Sequence, residues 1–155
     1  MSRPIVISVL NRLLAHQCYS LVNYLSEAPP WTHPDNEQLV PVVLGIAHDQ
    51  EHYAQRLAAA IDERDGGVDA GLFPLTFMSL NDLALDYLLA RLIENQQRDI
   101  RAAEQCMAEL VEDRLAWLLA SEVLGSERAH LDILKEFLPK TEAIPNGDEM
   151  RSYAA

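Results

Sequence analysis

The sequence predicts an all-α fold, an antiparallel four-helix bundle with a crossover between its second and third helices, and three observations lead there. Apolar residues recur at helical spacing in four stretches, strand-like alternation never persists, and proline or glycine punctuates the stretches. At 155 residues the chain is one domain by length, large enough to bury a core without metal or disulfide staples. Residues 1–138 are expected to form the bundle and residues 139–155 a polar, mobile tail.

The first helix is predicted from about Ile5 to Ser26, on the stripe Val6, Leu10, Leu13, Gln17, Leu21, Tyr24, and Pro29-Pro30 prevents its continuation. The second begins between Asp35 and Pro41, where Asp35 and Gln38 are spaced as a capping box. Its stripe reads Leu39, Val42, Ile46, Asp49, Tyr53, Leu57, Ala60, with His52 to the side, and it stops before Gly66-Gly67. Asp65 to Phe77 is rich in glycine, lacks helical periodicity and is long for a tight turn, so it reads as the crossover. Ser79 and Asp82 form a second capping box. The third helix then runs to about Val111 on Leu85, Leu89, Leu92, Gln96, Ile100, Ala103, Met107 and Leu110. The fourth carries Ala116, Ala120, Val123, Glu127, Leu131, Leu134 and Leu138, with His130 on the same side, and Pro139 closes it. Arg12-Leu13-Leu14-Ala15-His16-Gln17 is echoed by Arg91-Leu92-Ile93-Glu94-Asn95-Gln96, so the two hairpins read as repeats.

The formal net charge is −12 and no Lys/Arg cluster occurs, which leaves no footprint for a phosphate backbone and argues against nucleic acid as a partner. The longest apolar runs, Val40 to Ala47 and Leu115 to Ala120, are too short to span a bilayer, so no membrane is expected. The amino end has no basic stretch followed by an apolar run and a cleavage site, and cytoplasmic location is the expectation. Cys18 and Cys106 show no CxxC spacing and read as buried or inert thiols.

Each apolar stripe is interrupted near its middle by one polar residue: Gln17, Asp49, Gln96 and Glu127. An ionised carboxylate buried without a partner costs several kcal/mol, so Asp49 and Glu127 call for a metal, a cation or a proton. Asp49-x-x-His52 and Glu127-x-x-His130 each put a carboxylate and an imidazole on one helix face, where both can reach the same ion. Cross-bundle ion pairing of the same groups is the alternative. Gln17 is as far from Asp49 as Gln96 is from Glu127, within one residue, so all six side chains are expected to converge at one depth.

On these residues the chain resembles the ferritin-like superfamily, bacterioferritin most of all, over roughly Leu10 to Leu138. That family's site takes one Glu from each of two helices and Glu-x-x-His from each of the other two. Gln17 and Gln96 stand where the lone glutamates would be, and Asp49/His52 and Glu127/His130 match the two Glu-x-x-His motifs. Glu94 is the other candidate in the third helix, although helical phase favours Gln96. The resemblance implies one or two iron ions, with manganese or zinc as alternatives, and a ferroxidase-type oxidation of Fe(II) by oxygen or peroxide. It also implies a homodimer or larger homo-oligomer. Gln50 stands where bacterioferritin has a haem-ligating methionine, so no haem is expected. A metal-free bundle with a structural or interaction role is the second function class; the replaced glutamates favour it, and the retained Asp49-x-x-His52 and Glu127-x-x-His130 oppose it.

Overall fold

The computed structural model describes residues 2–27 and 29–139, and the tail expected over residues 139–155 lies outside them except for Pro139. Five α-helices build the fold: α1 (Arg3–Cys18), α2 (Leu21–Glu27), α3 (Leu39–Asp62), α4 (Leu85–Glu109) and α5 (Arg114–Lys135). α1 packs on α3 and α4 on α5 as two hairpins, while α1 also meets α4 and α3 meets α5. This leaves α3 and α4 across the diagonal. The amino-terminal half of α1 shares one apolar cluster with the carboxy-terminal halves of α3 and α4, so α3 and α4 run the same way. The connection between them is the expected crossover.

The single first helix of the sequence reading is two helices, bent by 43° at Tyr19-Ser20. Ser20 causes the break. Its hydroxyl accepts the Asn23 backbone N–H at 3.1 Å, as an N-cap does, and starts α2 afresh. Among the described residues no single helix is long and apolar enough to cross a membrane, and α1 with α2 reaches that length only as this bent pair. Ser20→Ala is expected to cost about 2 kcal/mol, since the hydroxyl also donates to buried Gln50 at 2.7 Å. Urea unfolding measures it, and a loss below about 0.5 kcal/mol would show that the cap is dispensable.

Neither predicted capping box forms. Gln38 makes no side-chain cap at the start of α3, and His33 instead caps a 3₁₀ turn at Pro34–Asn36. Ser79 donates to the Thr76 carbonyl within a second 3₁₀ turn, Leu75–Leu80, and α4 starts later, at Leu85. The reason is tertiary. The Leu85 N–H donates to the Trp31 carbonyl at 2.8 Å, and the Asp86 carboxylate accepts from His33 N, Thr32 Oγ and Asn36 Nδ2. The neighbouring segment thus satisfies the groups that a local cap would have served.

At the other end, Asp113 caps α5 by accepting the Ala116 N–H at 3.1 Å and takes both prongs of the Arg64 guanidinium at 2.9 Å each. That fork ties the end of α3 to the start of α5 and holds the Asp113 carboxyl below its ordinary range. Asp113→Ala is expected to cost about 2 kcal/mol at neutral pH, read by chemical denaturation. The contribution of a depressed carboxyl is lost as pH falls through its folded pKa, so parent and variant should converge in acid.

The apolar interior is divided in two. One cluster holds Leu10, Leu13, Leu57, Ile61, Ala103, Leu110, Ala120 and Val123, and the other holds Leu21, Leu25, Leu39, Ile46, Leu88, Leu92 and Leu134. Phe77, from the crossover, is buried in the second cluster, and the Phe73 ring stands edge-on to Tyr19 and Tyr24.

Candidate functional site: a glutamine-caged carboxylate

Between the two clusters lies a polar layer with one residue from each of four helices: Gln17 of α1, Gln50 of α3, Gln96 of α4 and Glu127 of α5, each at most 1% exposed. Glu127 is its centre. Gln17 Nε2 donates to Glu127 Oε1 at 2.9 Å and Gln50 Nε2 to the same oxygen at 3.3 Å. Gln96 Nε2 donates to Glu127 Oε2 and to the Glu127 backbone carbonyl, the latter at 3.0 Å. Gln50 is itself fixed, since its Oε1 accepts from Ser20 Oγ at 2.7 Å and from Asn23 Nδ2 at 3.0 Å.

Gln17, Gln96 and Glu127 thus lie together in the core, whereas Asp49 and His52, expected to join them there, do not. Asp49 is 56% exposed at its side chain, His52 is exposed, and Gln50 fills the core position assigned to Asp49. Helical phase is the cause. Leu39 and Leu57, both fully inside, lie five turns apart at about 3.6 residues per turn, and the third turn after Leu39 falls closer to residue 50 than to residue 49. Glu94 is also outside, 55% exposed and 3.6 Å from Arg91.

His130 is buried, but it turns toward the groove between α3 and α5. Its Nε2 lies 2.9 Å from Asp49 Oδ2 and 3.4 Å from Ser126 Oγ, while Nδ1 is buried with no hydrogen-bond partner. Asp49 and His130 thus meet at the edge of the bundle as a hydrogen-bonded pair, which was the alternative to a common ion in the core.

A second carboxylate, unanticipated from the sequence, stands beside the layer. Asp99 is 4% exposed, with Oδ1 at 2.9 Å from His16 Nδ1 and Oδ2 buried without a partner. Burial raises the Asp99 pKa against the opposing pull of His16, and the Asp99 contact raises that of His16. Glu127 is pushed up to about 7, first by burial and then by the negative charge of Asp99, with the three glutamine amides pulling the other way. At neutral pH the layer thus holds an acid poised between its two protonation states. Among the described residues no group of three or more His, Cys, Asp or Glu side chains is arranged to hold a metal ion.

No family model matches the chain, and no curated protein matches it. Among solved structures it is similar to a crystal structure described as ferritin-like, diiron-carboxylate proteins from Bacillus anthracis str. Ames. The TM-score is 0.73 over 90% of this chain and 100% of that one, at 16% identity. The fold is therefore ferritin-like, an all-helical bundle with the crossover that the sequence predicted.

Proposed function

We propose that this chain is a ferritin-like bundle whose central layer is a hydrogen-bonded acid in place of a two-metal centre, and that it acts through its surface as a structural or interaction protein. The observation that carries this reading is the Glu127 carboxylate accepting amide N–H groups from three other helices. Two divalent ions in a low-dielectric interior need about four negative charges for balance. Glu127 and the neighbouring Asp99 supply at most two, one of them already facing His16, the glutamines supply none, and the amide hydrogens turn partial positive charge toward the place a cation would occupy. The donor set does not fit a pair of irons of the kind named for the structural neighbour. Exposed apolar side chains on the crossover, Leu72 and Leu75 among them, support self-association, a homodimer being the smallest form.

A second reading keeps a single ion, iron foremost with manganese or zinc as alternatives, which oxygen or peroxide would meet. His130 favours it. A carboxylate on one ring nitrogen and a buried, unpartnered nitrogen on the other is how a metal-binding imidazole is commonly oriented.

Metal analysis of protein purified without chelator, followed by aerobic Fe(II) oxidation, separates the two. The first reading expects no stoichiometric metal, and Fe(II) loss at the buffer rate in the parent, in Glu127→Gln and in His130→Ala alike. Stoichiometric metal that disappears with His130→Ala would replace it by the second.

A further inference from the structure

A hollow of about 290 Å³ opens where the Leu75–Leu80 turn lies against α4 and the start of α2, away from the glutamine layer. Its apolar lining comes from Leu21, Phe77 and Leu80, and Arg91, Glu94, Asn95 and Arg98 line it from α4, with Arg91, Asn95 and Arg98 carrying its donors. These three recur at intervals of three or four residues, so they share one face of that helix.

The polar side of this hollow is rich in donors. Asn95 Oδ1 already accepts the Leu21 backbone N–H at 3.0 Å, the group set free by the break between α1 and α2, so the amide NH₂ is the end left over. Arg98 makes no hydrogen bond or ion pair among the described residues, and Arg91 has only the long contact to Glu94. In a chain with 12 Lys and Arg against 24 Asp and Glu, two guanidinium groups against the single Glu94 carboxylate leave this concave surface a local excess of positive charge, held by Arg98 because Glu94 faces Arg91. Guanidinium forks match the geometry of a carboxylate.

We propose that this hollow binds a small organic carboxylate carried on an apolar body. The head meets Arg98 and the Asn95 amide beside the Arg91–Glu94 pair, and the body lies on Phe77, Leu80 and Leu21. The volume stands at the lower limit for small-molecule sites, which restricts the body to a short chain or a single ring.

Titration calorimetry with octanoate, acetate and octanol separates head from body. Octanoate should bind one to one, with acetate and octanol each weaker by about tenfold or more. Arg98→Gln should weaken octanoate by about tenfold, while Arg101→Gln, an exposed arginine of α4 outside the hollow, should leave it unchanged. Circular dichroism checks that both variants keep their helices. Acetate or octanol binding as well as octanoate, equal losses in the two variants, or no saturation by about 10 mM octanoate would each overturn the proposal.

Discussion

Glu127→Gln is expected to be more stable than the parent by about 3 kcal/mol above roughly pH 8 and equal to it below roughly pH 4. The folded protein holds the Glu127 proton up to about pH 7, whereas the ordinary value, and so that of the unfolded chain, is 4.5. A raised carboxyl contributes its stability fully below the unfolded pKa and loses it as pH rises through the folded one. The gap is roughly 2.5 units, each worth about 1.4 kcal/mol. Glutamine at 127 imitates the protonated acid in shape and charge, and in both the new donor finds an acceptor when the Gln96 amide turns and gives up its bond to the Glu127 backbone carbonyl. Urea unfolding at a series of pH values reads the difference. Asp99 titrates in both proteins and leaves some slope in each, while Asp99→Asn should lower the Glu127 pKa because the Asp99 charge is the second cause of its rise. A variant less stable than the parent in alkali would mean that the ionised carboxylate is what the layer stabilises.

Gln50→Glu should act in the opposite direction and carry a second signature. Gln50 is fully buried, and its amide sits 3.3 Å from Glu127, so a carboxylate there places two anions side by side in the core. It would also face the Asn23 amide and the Ser20 hydroxyl, which soften the cost without cancelling it. The expected loss is about 3 to 5 kcal/mol at neutral pH, recovered in part in acid. With two facing carboxylates the site gains the charge that a divalent ion requires. Mn²⁺ or Zn²⁺ should therefore raise the melting temperature of the variant and leave the parent unchanged. A parent that gains as much from the metal as the variant would end the reading of the layer as a metal-free acid.

Much of this architecture was legible in the sequence because long amphipathic stripes fix which helix face is buried. Gln17, Gln96 and Glu127 interrupt three such stripes, and they meet in the core. In α3 the apolar residues form a broad band, with Val42 and Val43 and then Ile46 and Ala47 side by side, so Asp49 and Gln50 were both compatible with it. The Asp49-x-x-His52 spacing favours Asp49, while the spacing of Leu39 and Leu57 favours Gln50. The break at Ser20 was hidden because the apolar pattern runs straight through it, and the cap shows only through Asn23. The His16–Asp99 contact joins α1 to α4, and no periodicity within either helix announces a partner on the other.

The layer also governs how the helices may slide. Three of them each hand a single amide to one oxygen pair on the fourth, and a shift of any of the three by one turn, about 5.4 Å, would set a leucine, isoleucine or alanine against a stranded carboxylate. Oily contacts on either side tolerate such a shift far better, since one aliphatic residue replaces another. The glutamines thus serve as a detent for the assembling bundle, penalising mis-threaded packings more than they strengthen the correct one.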